Sequence, residues 1–404
     1  MRPAGRRFLL LLLLLIPLPA PAYQVVNGAI YDADGQPVQL RGVNWFGFET
    51  EQHVAHGLWA RSWRDMIDQM AALGFNAVRL PLCPATLHGA RPGYIDPDKN
   101  PDLIGLDSLQ ILDRVVSEFS RRGFHVLLDH HSPDCRTISE LWYTDRYSEQ
   151  DWIADLVFLA RRYGHLPGVI GIDLKNEPHG AATWGDASPA TDWNHAAERA
   201  GAAVLAVAPH WLIFVQGVGD HLGGDCGGGP QRWWGGNLAP LACHPIDPRR
   251  IPPDRLVLSP HVYGPDVGWR DDFGQPDFPA NLPAVWQRDF GFLDDRGLAW
   301  VLGEFGGWYG RWGYTRDKQW QDALVDWLRR RGHRDGFYWS WNPNSEHTGG
   351  ILDFDWHSVR AEKMALLRRL WAGGPAARPL TEAARDQTVI PGERDKSPTP
   401  QAEN

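Results

Sequence analysis

Sulfur is scarce in this chain: four cysteines and four methionines in 404 residues, with no C-x-x-C or H-x-x-x-H spacing that would gather a zinc site. No metal and no organic cofactor is expected. Beyond the first 22 residues no stretch reaches 18 consecutive apolar residues, so no candidate for a membrane-spanning helix is left. Basic residues are not in excess. The 40 Lys and Arg stand against 49 Asp and Glu, a net charge of −9, and they are scattered, which excludes the electrostatic footprint of a nucleic-acid binder. Internal repeats and a separable binding module are missing too. A neutral or weakly charged ligand fits this balance.

The first 22 residues read as an address. Arg2, Arg6 and Arg7 precede an unbroken apolar run from Phe8 to Ile16, and Ala20-Pro21-Ala22 supplies small residues before a cut at Tyr23. The mature protein is therefore expected to be secreted or periplasmic, with no membrane contact. Residues 23–373 then read as one folded unit without an obvious break. From 374 to 404 the chain turns Pro/Ser/charge-rich and loses its apolar period, the composition of a disordered tail.

Within 23–373, short apolar runs alternate with longer amphipathic ones, the pattern of repeated βα units. Eight strands are predicted, over 39–43, 77–80, 125–128, 169–174, 212–215, 256–259, 299–302 and 336–340. Helices are predicted over 63–73, 106–122, 149–163, 192–207, 284–295, 318–330 and 358–370. In the second of these Leu109, Leu112, Val116 and Phe119 recur at three and four, and Gly74 and Gly123 sit where helices stop. No helix follows the fifth strand; a Gly/Pro-rich excursion from 217 to 253 takes its place. Residues 23–38 read as a small hairpin turning at Asp34-Gly35 that could plug a barrel's bottom. The fold expected is α/β, a single (β/α)8 TIM barrel.

Barrels place their chemistry at the C-terminal ends of strands. Strand two ends in Val78-Arg79-Leu80-Pro81, strand three in Asp129-His130-His131 and strand four in Asn176-Glu177-Pro178. Strand six ends in His261-Val262-Tyr263, strand seven in Gly303-Glu304-Phe305-Gly306 and strand eight in Trp339-Ser340-Trp341-Asn342. Glu177 and Glu304 are far apart in sequence, yet a barrel brings both to one face. Two carboxyl groups across a cleft can cut a glycosidic bond, one giving a proton and the other attacking. Tryptophan points the same way: 21 residues, many in Gly/Pro-rich segments, where flat indoles can stack on the apolar faces of sugars. Core packing is expected to account for about half of them, since large α/β interiors also take bulky fillers.

In its ordered motifs the chain resembles the glycoside hydrolases of family 5, over nearly all of the span from Tyr23 to Trp371. The resemblance is carried by Arg41-Gly42-Val43-Asn44-Trp45-Phe46-Gly47-Phe48-Glu49-Thr50, His56-Gly57-Leu58-Trp59 and Trp233-Trp234-Gly235-Gly236-Asn237, together with Trp339-Ser340-Trp341-Asn342-Pro343 and Thr348-Gly349-Gly350-Ile351-Leu352. It is strongest to secreted bacterial endo-β-1,4-glucanases. It implies a retaining cellulase acting on a β-1,4-linked polysaccharide, with Glu177 as acid/base and Glu304 as nucleophile; the sequence does not set the oligomeric state, for which a monomer is the expectation. Arg79 and Tyr263 would hold Glu304 ionised, and Asn176 would bind the sugar 2-hydroxyl. His131, rather than His130, and His261 would orient the site. Trp339 would floor the −1 sugar, with Trp59 and Trp234 as flanking platforms and Trp45, Trp142 and Trp184 as looser candidates. The same scaffold also serves β-mannanases, glucomannanases and xyloglucanases, and a non-catalytic carbohydrate-binding protein is the alternative of another class.

The four cysteines of an exported chain allow three disulfide connectivities. Cys226 and Cys243 bracket a Gly/Trp-rich loop, which argues for pairing them, and Cys83 and Cys135 each lie just past a predicted strand. The resemblance adds a departure. Relatives carry a cysteine just after Phe-Glu-Thr, paired to the one after the third strand, where this chain has Glu51. Cys135 then needs another partner, and the preferred set is Cys83–Cys135 with Cys226–Cys243.

Overall fold

The computed structural model describes residues 23–220, 226 and 229–375; the leader and residues 376–404 of the expected tail lie outside them. Seven strands form one curled parallel sheet: β3 (Arg41–Asn44), β4 (Ala77–Leu82), β5 (His125–His130), β6 (Val169–Asp173), β7 (Leu212–Val215), β8 (Leu256–Leu258) and β9 (Gly336–Tyr338). Their spatial order is β8-β7-β6-β5-β4-β3-β9, so neighbours in sequence are neighbours in space. Residues 299–302, expected as the seventh strand, close the ring together with 303–305 but without a continuous ladder. Val301 N–H donates to Leu258 O at 2.9 Å on one side, while Phe337 N–H donates to Leu302 O and Trp339 N–H to Phe305 O, both at 2.9 Å, on the other. The stave alternates between its two neighbours instead of pairing steadily with either, and the Gly303 carbonyl leaves the ladder to accept from Asn44 Nδ2. The fold is a (β/α)8 barrel.

Helices α1 (Trp63–Leu73), α3 (Ser108–Arg121), α4 (Glu149–Tyr163), α5 (Trp193–Leu205), α6 (Leu282–Asp289), α7 (Thr315–Arg330) and α8 (Ala361–Trp371) surround it, with a single turn α2 (Pro84–Leu87) after β4. Local chemistry sets their ends. Asp107 and Gln110 form a reciprocal capping box that starts α3 two residues later than predicted, and Ser148 with Asp151 does the same for α4. Gly74 ends α1 in the left-handed conformation, φ 96°. After β7 the described part of 217–253 holds one short 3₁₀ turn, Ala239–Ala242, and no α-helix.

The hairpin is present but turns elsewhere. β1 (Gln24–Val26) and β2 (Ala29–Tyr31) pair antiparallel across Asn27-Gly28, whose φ of 49° and 76° suit the mirror-image turn that matches strand twist. Asp34-Gly35 makes a second reversal, closed by Asp32 N–H on Gln36 O at 2.9 Å. Tyr23, Val25 and Ile30 pack against inward-facing Leu40, Ala77, Leu127, Ile170, Phe214, Val257, Ala299 and Phe337, so the hairpin seals the barrel's lower end. The alternate strand residues (Val78, Leu80, Val126, Leu128, Ile172, Ile213) face the helices in a second, larger core. Most tryptophans are there: Trp45, Trp142 and Trp184 are buried, which removes them as sugar platforms. The core takes more of the indole than the half expected.

Cys83 is bonded to Cys135 and Cys226 to Cys243. Glu51, in the place of the relatives' cysteine, pairs instead with Arg136 at 2.6 Å, beside Cys135. Among the described residues no helix is long and apolar enough to cross a membrane.

Leu127 lies fully buried in the lower layer, directly under the polar residues of the barrel. Leu127→Ala is expected to cost about 2–5 kcal/mol. Urea denaturation followed by fluorescence should show the lower midpoint, with activity per folded molecule retained.

Candidate active site

Above the apolar layer the inward side chains of six staves become polar. Asn44 on β3, Arg79 on β4, Asp129 on β5, Asp173 on β6, Gln216 just past β7 and Ser259 just past β8 are all fully buried. Arg79 stands at the centre. Its Nη1 donates to Glu304 Oε1 at 2.7 Å and Asn44 Oδ1 at 3.0 Å. Its Nη2 donates to Asp173 Oδ2 at 3.0 Å and Asn176 Oδ1 at 2.9 Å, and its Nε to Asp173 Oδ2 at 3.1 Å. Asp129 Oδ1 lies 3.0 Å from Nη2 but off the N–H direction, an ion pair without a hydrogen bond. The guanidinium stays charged, held there by Asp129, Asp173 and Glu304 against the cost of its burial.

Glu304 and Glu177 converge above this layer. Glu304 Oε2 accepts from the Tyr263 hydroxyl at 2.6 Å and lies 3.5 Å from His261 Nδ1; that same nitrogen is 3.0 Å from Glu177 Oε1. One oxygen of each glutamate and one ring nitrogen of His261 all fall within 4.8 Å of one another. The nearest carboxylate oxygens of the two acids are thus close enough to face one bond from two sides. A cation could in principle use such a triad, yet both Glu304 oxygens already accept, one from Arg79 and one from Tyr263. Among the described residues His53 with Cys83 and Cys135 is the other close group, and its sulfurs are tied to each other.

Burial raises the affinity of both glutamates for a proton, including Glu304, which the sequence reading treats simply as an anion. The two are not raised alike. Glu304 has Arg79, His131 and the Tyr263 hydroxyl to oppose the effect. Glu177 is pushed well above the ordinary carboxyl range by burial and then by the charge of Glu304. Of the pair, Glu177 holds the proton. His261 is neutral, its basicity suppressed by burial and by Arg79.

His131 faces the site: Nδ1 contacts Asp129 Oδ2 at 2.7 Å, Nε2 lies 3.4 Å from Asn176 Nδ2, and the ring stacks with Trp339. His130 points the other way, to the Tyr147 hydroxyl at 3.0 Å. A cavity of about 490 Å³ gathers His131, Glu177, Tyr263, Glu304, Trp339 and Trp234 in its lining. Trp234, half exposed, lies flat on His179 with ring centres 3.7 Å apart. Trp59 stands outside this cavity, reached from Trp339 through Phe46 and His56.

Four participants escaped the sequence reading. Gln216 Oε1 accepts the Glu177 N–H at 2.8 Å while its Nε2 donates to Asp173 Oδ2 at 2.8 Å. It props a backbone that needs support, since Glu177 has φ 50°, unusual for a residue with a side chain. A polar residue directly after the apolar run 212–215 was the available signal. Asp173 carried the same signal on β6. Trp233 and Arg270 also line the cavity, and the guanidinium lies 3.9 Å over the indole, so that face of Trp233 is covered.

The family model described as cellulase (glycosyl hydrolase family 5) matches residues 31–345. This chain belongs to glycosyl hydrolase family 5. It is a glycoside hydrolase. The major extracellular endoglucanase of Xanthomonas campestris pv. campestris is 60% identical over 87% of this chain and 72% of that protein. An endoglucanase of Paenibacillus polymyxa is 43% identical over 90% of each. Among solved structures, the catalytic domain of the Xanthomonas enzyme superposes with a TM-score of 0.83 at 60% identity, covering 86% of this chain and 99% of that one. A cellotetraose complex of the endocellulase from Pyrococcus horikoshii, a variant at 46% identity, superposes with a TM-score of 0.84 over 87% and 99%.

Glu304→Gln removes the negative neighbour of Glu177, so the Glu177 carboxyl is expected to titrate at lower pH in that variant than in the wild type. Carbon-13 NMR of labelled glutamate reads the change directly. An unchanged Glu177 titration would mean that burial alone sets its proton affinity.

Proposed function

We propose that this chain is a retaining endo-β-1,4-glucanase that acts outside the cytoplasm on cellulose or related soluble β-1,4-glucans. The observation that carries the reading is the convergence of Glu177 and Glu304, one oxygen of each within 4.8 Å of the other, with Glu177 raised further than Glu304 in proton affinity. The endoglucanase names of its relatives and the cellotetraose held by one of them support the substrate class.

In the first step a Glu304 oxygen forms a bond to the anomeric carbon as the glycosidic bond breaks, and Glu177 gives its proton to the departing oxygen. Glu304 enters as the anion, stabilised by Arg79 and the Tyr263 hydroxyl. Once Glu304 is esterified its charge is gone, so the main electrostatic reason for Glu177 to keep a proton disappears with it. Glu177 is then a base. It takes a proton from water as the water oxygen bonds to the anomeric carbon and Glu304 leaves. Asn176, fixed by Arg79, meets the 2-hydroxyl, a contact that tightens as the sugar becomes oxocarbenium-like. Trp339 lies beneath the reacting sugar, and Trp59 and Trp234 serve neighbouring rings by stacking. Residues 1–22 act as an export leader, 23–373 as the catalytic unit, and the mature protein is secreted or periplasmic, in keeping with a relative named as extracellular.

Glu177→Gln and Glu304→Gln should each lower kcat by about 10³-fold or more with folding intact, because each removes a group that acts in both steps. Proton NMR of early products should show the β-anomer. An α-anomeric first product would exclude retention, and faster hydrolysis of glucomannan or xyloglucan than of carboxymethylcellulose would move the substrate assignment to those polymers.

A further inference from the structure

An aromatic row leaves the floor of the catalytic cavity and ends at the surface. Trp339 stacks on Phe46 with ring centres 5.4 Å apart, Phe46 meets His56 at 5.0 Å, and His56 meets Trp59 at 5.4 Å. Trp356, itself buried, backs Trp59 at 5.0 Å. The last member is Tyr94, edge-on to Trp59 at 6.4 Å and 70% exposed.

Two features separate Tyr94 from an incidental surface aromatic. Its φ is 55°, the left-handed region, which a bulky side chain occupies only where the surroundings hold it. The backbone is in fact held on both sides. Gly93 N–H donates to Gln52 O at 2.9 Å and Asp96 N–H to Leu58 O at 3.1 Å. Asn100 Nδ2 then reaches Leu58 O at 2.8 Å and Arg61 O at 3.0 Å, so the loop is stitched to the segment that carries Trp59. A ring presented on fastened backbone loses little freedom when a ligand covers it. Nothing in the core needs that ring.

We propose that Tyr94 forms an outer subsite, one position beyond Trp59, which takes the apolar face of a neutral β-1,4-linked glucosyl ring. The proposal rests on the endoglucanase reading. It makes Tyr94 a determinant of how long a chain the enzyme grips, with no part in bond cleavage.

Hydrolysis of cellotriose through cellohexaose by the wild type, Tyr94→Ala and Tyr94→Phe tests it, with reducing-end-labelled cellohexaose to locate the cut. Tyr94→Ala should lose about threefold to tenfold in kcat/KM on cellohexaose, through KM, the scale of one aromatic contact. Cellotriose should be unaffected, the position of cleavage in the hexaose should shift, and Tyr94→Phe should behave as the wild type. Identical kinetics for Tyr94→Ala at every length would overturn the subsite. So would a uniform loss at every length, which marks a structural role. A folded wild type that cleaves none of these sugars takes down the endoglucanase reading, and the subsite with it.

Discussion

One buried guanidinium organises the molecule. Arg79 has no exposure and spends all its donors on Asn44, Asp173, Asn176 and Glu304, from β3, from β6 and its following turn, and from the irregular stave. A buried cation without such partners would be prohibitively costly, and so would the carboxylates without it. The four groups are therefore conditions for one another. Their mutual need explains why the seventh stave, which lacks a steady ladder, still holds Glu304 in place: the side-chain ion pair at 2.7 Å supplements its scattered backbone bonds.

The same centre sets the proton affinities of the two glutamates. With Arg79 and Lys175 as the cations and Asp129, Asp173, Glu177 and Glu304 as the carboxyls, the cluster cannot keep all four acids ionised at low cost. Burial raises both glutamates; Glu177 is raised further by the charge of Glu304 although Arg79 and Lys175 oppose it, while Glu304 is held back by Arg79, His131 and the Tyr263 hydroxyl.

Much of this was legible in the sequence because it follows from period. Apolar runs ending in polar residues located all eight staves, and helices α1 and α4 fall on the predicted bounds. The misses have local causes. The predicted hairpin turn went to Asp34-Gly35, although Asn27-Gly28 is the pair that tolerates positive φ at both positions and so wins the strand pairing. Trp45, Trp142 and Trp184 looked like platforms since composition cannot tell a loop indole that faces inward from one that faces a cleft. Gln216 and Asp173 went unread because their work is to hold other side chains, a role visible only once the partners are in space.

Glu177 N–H, Gln216, Asp173, Arg79 and Glu304 form an unbroken chain of hydrogen bonds from one glutamate to the other. Neither acid can drift alone. Change that must preserve the reaction is thereby driven outward, onto the rim, where rings such as Trp59, Trp234 and Tyr94 are not links in this chain of hydrogen bonds. A scaffold wired this way can acquire a taste for a new polymer by swapping aromatics at its lips while its chemistry stays untouched, which is one physical route by which a single barrel design comes to digest many glycans.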